Sequence, residues 1–329
     1  MKIEGKSLFR ESEINAKQVG GKVHRKNEEV WFMIITKKTK KERKERRIFW
    51  AFLAPAGIFI GIFSIYPLIS TFILSFYKYN AASGIPRKFN GFGNYIREFT
   101  HPQFLNSLKI TIVYTAVGVL FTMLFGFILA LLLNKNGIIF KVLRGVALMP
   151  YLISSVALTV AWQIMYNSNF GLFNMVLNSM GFSSVNWLGD PKIALYSIVV
   201  TDIWQFTPFV MILVLAGMQG ISPEYYEAAT VDGASKSQIL FYITIPLMRK
   251  ILITILIMRI IDTFKTFEKP KILTNGGPGQ ATELISLHVY KTSFAQWEFG
   301  YGATGAVIIA AIIALLTIFI IKLSNMNED

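Results

Sequence analysis

Three charged side chains, Asp202, Arg259 and Asp262, stand inside long apolar stretches of this sequence. A charge in an apolar segment of membrane length is costly, so such residues are by default interpreted as part of a path for a solute or an ion. Arg259 and Asp262 are three residues apart and share one face of a helix, and Asp202 reaches Arg259 if their segments are neighbours. Two interpretations are open: a structural ion pair that joins two helices, or a polar lining that binds a passing solute.

A second group of candidate functional residues lies in the polar loop that begins at Ser222. Ser222, Pro223 and Glu224 predict a helix start, with a hydroxyl cap, a proline at the first position and an acid beside the helix dipole. The helix is expected to stop at Gly233, because glycine readily adopts the left-handed conformation that ends helices, and a second short helix is predicted at 234–242. Acidic and small side chains then form a surface for a cytoplasmic partner, composed of Glu224, Glu227, Ala228, Ala229, Asp232 and Gly233.

The elements that hold these residues are predicted to be membrane-spanning helices. Of the 329 residues, 53% are hydrophobic and 16% charged, with a mean hydropathy of +0.49, whereas soluble domains carry about 25% charged residues. Uncharged segments of about 20 residues cross roughly 30 Å of hydrocarbon as helices. Six spans are predicted, at about 48–77, 110–134, 145–166, 192–218, 246–267 and 302–321.

Basic residues orient these spans. Residues 1–47 hold fifteen Lys and Arg against seven Glu, and the loop between spans two and three contains Lys135, Lys141 and Arg144. Positively charged segments beside spans face the cytoplasm, so an even number of spans places both termini inside. A basic tail before a span is more often a topology and lipid-surface determinant than a nucleic-acid arm, so we expect contact with membrane lipid and none with nucleic acid.

The predicted organisation is one membrane domain with two tails. Residues 1–47 form a basic cytoplasmic N-terminal tail, in which the apolar run at 30–35 is too short to span and is interpreted as an interfacial helix. Residues 48–322 form the transmembrane domain, with a cytoplasmic loop at 222–245. Residues 323–329 form a cytoplasmic C-terminal tail.

Composition disfavours several kinds of chemistry. The chain contains no cysteine, and its three histidines, His24, His101 and His288, lie far apart. We therefore predict no metal site, no redox chemistry and no cysteine nucleophile. The chain also has no G-x-x-x-x-G-K-[ST] stretch to hold nucleotide phosphates. We expect a chain that is not an enzyme, with no catalytic residue and no cofactor of its own.

The loop at 222–245 resembles a known family signature. Three residues separate Glu227-Ala228-Ala229 from Gly233, and nine separate Gly233 from the run Ile243-Thr244-Ile245-Pro246. This spacing is similar to the EAA loop of binding-protein-dependent ABC importer permeases, although that pattern usually has leucine where Ile245 stands. A generic interfacial helix pair would explain the glycine turn but not the whole spacing.

Two outer segments extend the resemblance over roughly residues 48–322. Before the fourth span stand Asn186-Trp187-Leu188 and Asp190-Pro191, and after the fifth stand Leu273-Thr274-Asn275-Gly276-Gly277-Pro278 and Ala281-Thr282-Glu283. The Gly-Gly-Pro loop resembles that of the first permease subunit in maltose- and glycerol-phosphate-type importers. This is the carbohydrate branch of the family.

The resemblance implies a fold and a set of partners. The fold is an all-α integral membrane protein with six transmembrane helices of the type I ABC importer permease (MetI-like) fold and a cytoplasmic EAA coupling helix. The implied partners are a second permease subunit, two ATPase subunits that bind ATP and Mg, and an extracytoplasmic solute-binding protein. The chain would lie in a bacterial or archaeal cell membrane and import a sugar by alternating access, as closure of the ATPase moves the coupling helix.

The same resemblance implies positions that line the substrate path. Aligned with maltose-type permeases, these positions are Gln205, Phe206, Phe209, Arg259, Asp262, Thr263 and Thr266, and we add Asp202 for its charge. Polar groups beside flat apolar rings suit hydroxyl-rich ligands, and a guanidinium suits a carboxylate or phosphate, so an acidic sugar stays open. The alternative function is a secondary transporter or channel in which the three intramembrane charges relay an ion or proton.

Overall fold

The computed structural model describes residues 44–325, without the side chain of residue 325. Most of the predicted N-terminal tail, its interfacial helix at 30–35 and the last four residues of the predicted C-terminal tail lie outside these described residues. The chain divides into two compact units, Met1–Ile69 and Ser70–Asp329. The described residues of the second unit contain every candidate functional residue named above.

The described residues form mostly helices, as predicted, with one short antiparallel ribbon that was not predicted. In the ribbon, β1 (Tyr77–Lys78) pairs with β2 (Lys88–Phe89) between the first and second predicted spans. The helices are α1 (Lys44–Leu74), α2 (Gly93–Thr100), α3 (Pro102–Leu133), α4 (Ile138–Leu152), α5 (Ser155–Met165), α6 (Leu172–Ser179), α7 (Ala194–Gln219), α8 (Pro223–Val231), α9 (Lys236–Leu247), α10 (Arg249–Lys265), α11 (Glu268–Leu273), α12 (Ile285–Tyr290) and α13 (Phe299–Asn325).

Four of these helices, α1, α3, α7 and α13, are by length and composition able to cross a membrane. Two further spans are possible only as bent pairs: α4 with α5, bent by 88°, and α9 with the segment Arg249–Leu273, bent by 68°. Within residues 44–325 the structure therefore offers four to six spans. The six predicted spans fall on these helices, with the third and fifth broken rather than straight.

The breaks have local causes. Between α4 and α5, Ile153 and Ser154 adopt extended backbone angles, and Pro150 lies inside the last turn of α4. Between α9 and α10 the break falls at Met248, whereas the sequence suggested that Pro246 opens the fifth span. A third break at Thr266, which has ψ of 120°, separates α10 from α11. Because of these breaks, α5 and α11 pack against each other beside α7.

The core of the bundle is the close crossing of α3 and α7. A side chain at Gly126 would place its Cβ 2.5 Å from the Cβ of Val210, so only glycine allows the two backbones to approach this closely. Around the crossing pack buried apolar side chains, among them Met211, Val214 and Met248. Further along α3, a Cβ at Gly118 would lie 3.7 Å from a carboxylate oxygen of Asp202, so the same crossing brings α3 against the predicted charge cluster.

A polar cluster joins the predicted outer ends of α2, α3 and α12. The Glu283 carboxylate accepts hydrogen bonds from Gln103 Nε2 at 2.7 Å and Lys291 Nζ at 2.6 Å, and it lies 3.3 Å from Nδ1 of His288. On the other side of the imidazole, Nε2 of His288 is 3.7 Å from the buried Glu98 carboxylate. His288 therefore lies between two acids contributed by different parts of the chain.

This cluster predicts a pH-dependent stability. Burial alone would lower the pKa of His288, but hydrogen bonds and charge from Glu283 and Glu98 outweigh it and raise the pKa from 6.5 to about 9. Burial alone would raise the pKa of Glu283, but hydrogen bonds from His288, Lys291 and Gln103 lower it from 4.5 to about 2. The stability from His288 is complete below pH 6.5 and is lost as the pH rises to about 9, whereas that from Glu283 is complete above pH 4.5 and is lost as the pH falls to about 2.

We expect the thermal midpoint of the purified protein to fall as the pH rises from 6.5 to 9. His288→Gln should flatten this alkaline decline, because it removes the titrating group. The measurement is a series of melting curves across this pH range, with His101→Gln as the matched control that keeps the decline. Equal alkaline slopes for wild type and His288→Gln would show that the cluster does not govern stability.

Candidate functional site

Asp202 is the centre of a fully buried ion cluster. Its Oδ2 accepts a hydrogen bond from Nη2 of Arg259 at 2.6 Å, and its Oδ1 accepts one from Nζ of Lys269 at 2.7 Å. All three residues have 0% of their surface exposed. The predicted approach of Asp202 to Arg259 is confirmed, and it joins α7 to α10.

Lys269 was missed by the sequence analysis. It follows the predicted end of the fifth span, where a lysine is ordinarily interpreted as part of a solvated outer loop. In the structure the chain breaks at Thr266, and α11 turns Lys269 inward to Asp202. No local pattern marks this turn, because it depends on the packing of α11 against α5.

The remaining predicted polar positions on α10 are arranged differently. The Arg259 guanidinium donates to Asp202, and the structure shows no ion pair between Arg259 and the half-buried Asp262 among the described residues. The hydroxyls of Thr263 and Thr266 donate to backbone carbonyls of their own helix, those of Arg259 and Asp262, at 2.9 and 3.0 Å. Both threonines are buried, so their hydroxyls already have partners within the helix.

Phe206 separates the two cations from the more accessible side of the site. Its ring centroid lies 4.1 Å from Cζ of Arg259 and 4.6 Å from Nζ of Lys269, which are cation–π distances. Tyr151, 38% exposed, contacts the rings of both Phe206 and Phe209, with centroid distances of 5.8 and 5.2 Å. The three rings form one aromatic surface, of which Phe206 covers the buried cations.

A polar group borders this aromatic surface. Ser155, at the start of α5, donates through Oγ to Oε1 of Glu268, at the start of α11, at 2.6 Å. The side-chain oxygen of Gln205 is 3.5 Å from the same hydroxyl. Ser155 and Glu268 are half-buried, and Gln205 is buried. Of these residues only Gln205 was predicted from the sequence, because the two helix breaks that bring Ser155 and Glu268 together were not predicted.

The predicted partner surface is built on α8. The helix starts at Pro223 as expected, but the Ser222 side chain makes no capping hydrogen bond, which corrects the predicted hydroxyl cap. Gly233 has φ of +74° and ends the helix as predicted, with the Ala234 amide donating back to the Ala229 carbonyl at 2.9 Å. A left-handed residue at this position is the usual helix stop.

Side chains on α8 separate into two faces. Ala229 is buried against the chain itself, so of the two small residues expected to face a partner only Ala228 is exposed. Val231 is 87% exposed, on the face of α8 that points away from the chain. Acidic side chains accompany it there, since Glu224, Glu227 and Asp232 are all exposed.

The second short helix was expected at 234–242 and is observed as α9, which runs on to Leu247. Ser235 begins it with a capping box, in which its hydroxyl accepts from the Gln238 amide and the Gln238 side chain accepts from the Ser235 amide. The helix also contains one wide π-helical turn at Leu240–Thr244. Through α9, α8 is connected to α10, the helix that carries Arg259.

These geometries contain binding groups rather than reactive ones. Within residues 44–325, no cluster of three or more His, Cys, Asp or Glu side chains could hold a metal ion. The buried charges pair through Asp202, although Nε and Nη1 of Arg259 have no hydrogen-bond partner among the described residues, and the accessible groups are hydrogen-bonding and aromatic. The arrangement can hold a polar solute and dock a partner.

Comparison with known proteins agrees with this interpretation. The family described as "Binding-protein-dependent transport system inner membrane component" matches residues 122–325. The trehalose/maltose transport system permease protein MalF of Thermococcus litoralis is 34% identical over 292 residues, which cover 88% of this chain and 98% of the relative. The sulfoquinovosyl glycerol transport system permease protein SmoG of Agrobacterium fabrum is 33% identical, covering 84% of this chain and 90% of the relative.

A solved structure shows the same fold. The crystal structure of a bacterial ABC transporter involved in the import of the acidic polysaccharide alginate includes a chain that superimposes with a TM-score of 0.77. The match covers 88% of this chain and 99% of that one at 23% identity, so it bears on the fold alone. With the family match over more than half of the residues, this chain belongs to the family of inner-membrane components of binding-protein-dependent transport systems, and it has their permease fold.

Proposed function

We propose that this chain is one of two permease subunits that form the saccharide path of an ATP-driven importer. A second permease subunit completes the path, and an extracytoplasmic solute-binding protein delivers the saccharide. Two separate ATPase subunits bind ATP and Mg and hydrolyse the nucleotide. The carbohydrates in the names of the two relatives support a saccharide as the cargo, as do the hydrogen-bonding groups beside the aromatic surface.

The observation that carries the proposal is the exposed face of α8. It is a short helix that ends in a left-handed glycine and exposes Glu224, Glu227 and Val231. An exposed large apolar residue among acids is suited to seat in a groove on a partner that also carries basic groups. We assign this face, with Ala228, Asp232 and Gly233, as the ATPase-docking surface.

A movement of this surface would be transmitted to the saccharide path by the helices that connect them. From α8 the chain passes through α9 and the bend at Met248 into α10, which carries Arg259. Arg259 is bound to Asp202 of α7, so α10 cannot shift without pulling on α7 or breaking a buried ion pair. Rigid-body transmission of this kind would convert ATPase closure into alternating exposure of the path.

The orientation follows from charge. The basic tail and the loop with Lys135, Lys141 and Arg144 would face the cytoplasm, as would α8 and both termini.

The alternative of a secondary transporter or channel needs an ionisable group that can exchange its ion or proton during transport. Asp202, the most buried acid of the site, is instead held by two cations.

Purification of the tagged chain from cells that express the complete system tests the proposal. We expect an ATPase to co-purify, and we expect its ATP hydrolysis to rise when the binding protein and an oligosaccharide mixture are added. Uptake that persists in cells lacking every candidate ATPase subunit would contradict the proposal and favour the secondary-transporter alternative.

A further inference from the structure

The two buried cations of the site are not available to a solute. Arg259 and Lys269 each have 0% of their surface exposed, and both donate to Asp202. On the side of the aromatic surface they are covered by the ring of Phe206, at 4.1 and 4.6 Å. A carboxylate or phosphate on a solute would have to displace Phe206 and compete with Asp202 to reach them.

The charged group that a solute meets instead is an acid. Glu268 is half-buried, accepts a hydrogen bond from Ser155, and directly precedes Lys269, whose Nζ lies 4.6 Å from the Phe206 ring. An ionised carboxylate only accepts hydrogen bonds, and it has about four acceptor positions. Saccharide hydroxyls are donors, so Glu268 can accept from them in charge-assisted hydrogen bonds, which are stronger than neutral ones.

The surrounding groups suit the same kind of ligand. The half-buried Ser155 hydroxyl supplies a further hydrogen-bonding atom, and the buried Gln205 amide lies behind it at 3.5 Å. The rings of Tyr151, Phe206 and Phe209 supply a flat apolar surface for the carbon-bound hydrogens of a sugar ring. Pockets for small molecules are commonly built this way, from apolar walls with a few placed polar groups.

The charged residues around the site give no net positive charge that would attract a further anion. Asp202 and Glu268 contribute two negative charges, and Arg259 and Lys269 contribute two positive charges, so the formal sum is zero. The half-buried Asp262 adds one negative charge nearby, and Lys265, at the end of α10, is exposed to solvent. An uncharged saccharide leaves this balance unchanged. An acidic saccharide would place an unpaired anion in a poorly solvated space next to Glu268, where repulsion is strong.

We infer that Glu268, anchored by Ser155 and flanked by Gln205 and the Tyr151 surface, selects uncharged saccharides and rejects acidic ones. The inference rests on the proposed function and names its substrate class. It also decides between the two roles left open for the buried charges: Asp202, Arg259 and Lys269 hold the helices together, and Glu268 faces the solute.

Uptake by cells carrying the complete importer tests the inference. The cells receive one mixture of neutral oligosaccharides from partial hydrolysis of starch, cellulose and xylan, with acidic oligosaccharides from polygalacturonate and alginate. Cytoplasmic saccharides are quantified by mass spectrometry against cells that lack only this chain. The variants are Glu268→Gln, which removes the charge, Glu268→Asp, which keeps it, and Glu298→Gln as a matched control. Co-purification of the other subunits verifies assembly.

We expect wild-type cells to accumulate neutral oligosaccharides and to exclude acidic ones. Glu268→Gln should lower neutral uptake about tenfold, the effect of losing one charge-assisted hydrogen bond, and should raise the ratio of acidic to neutral uptake. Glu268→Asp should keep the rejection of acidic saccharides, and Glu298→Gln should behave as wild type.

Acidic oligosaccharides entering wild-type cells as well as neutral ones would overturn the inference. A Glu268→Gln variant whose uptake ratio is unchanged would also overturn it, because a purely structural role lowers all uptake equally. If Glu268→Gln does not assemble, the ratio of acidic to neutral uptake in wild-type cells tests the inference by itself. If no saccharide in the mixture enters in a chain-dependent way, the proposed function itself fails, and this inference fails with it.

Discussion

Replacing Gly233 with proline is expected to abolish coupled transport while the chain still inserts into the membrane. Gly233 has φ of +74°, and its amide donates to the Thr230 carbonyl at 3.1 Å. Proline fixes φ near −65° and has no amide hydrogen, which costs about 3 kcal/mol or more where the native backbone needs both. A cost of that size depopulates the native turn roughly a hundredfold, so α8 would no longer present its acidic face in the docking orientation.

The experiment measures, for each variant, uptake, ATP hydrolysis and the amount of ATPase that co-purifies with the chain. Gly233→Ala isolates the backbone effect, because a Cβ there meets nothing within 4 Å and only the left-handed φ is penalised. Gly220→Ala is the matched control, since Gly220 lies before α8 with φ of −81°. We expect the order of uptake to be Gly220→Ala above Gly233→Ala above Gly233→Pro. Normal uptake in Gly233→Pro would remove α8 from the coupling path.

Glu227→Lys addresses the same surface without a change in the backbone. Glu227 is exposed, so the reversed charge should leave the fold intact and weaken ATPase binding. The amount of ATPase that co-purifies is measured at several salt concentrations, for wild type and for Glu227→Lys. The difference between the two reports the electrostatic part of docking. Unchanged recovery would assign docking to the apolar Val231 instead.

Replacing Asp202 with asparagine is expected to be far more damaging than removing either of its partners. In Asp202→Asn, Arg259 and Lys269 both keep their charge at 0% exposure and lose their common anion. Removing one partner of a buried ion pair costs about 3–5 kcal/mol. In Lys269→Met or Arg259→Met, by contrast, Asp202 keeps one cation and the pair stays neutral.

Thermal unfolding of the purified importer complex measures this difference. We expect the melting temperature to fall most for Asp202→Asn and least for Lys269→Met, whose side chain has a similar volume. Arg259→Met should lie between them, because the larger guanidinium leaves more space behind and its contact with Phe206 is lost. An Asp202→Asn complex that is no less stable than Lys269→Met would show that the site tolerates an unbalanced charge, and an acidic saccharide would then no longer be excluded.

The hydrophobic pattern was enough to predict the helical membrane fold and the positions of the long helices. Long uncharged runs force helix formation in a membrane wherever they occur, because no other local structure satisfies their backbone. The turn at Gly233 was equally predictable, since its conformation depends on one residue type. The pairing of Asp202 with Arg259 was predicted only on the condition that their helices are neighbours, and the structure meets that condition.

Only the tertiary structure decided which groups share the site. The breaks at Ile153–Ser154 and Thr266 carry no distinctive local signal, yet they turn α5 and α11 toward each other and bring Ser155, Glu268 and Lys269 beside α7. The sequence by itself determined that α8 ends in a glycine turn with acidic residues before it, and that charged residues stand inside the apolar segments. Whether a charge is buried or partly exposed depends on contacts between distant segments, and these contacts leave Glu268 half-buried beside Ser155 and place Arg259 behind Phe206.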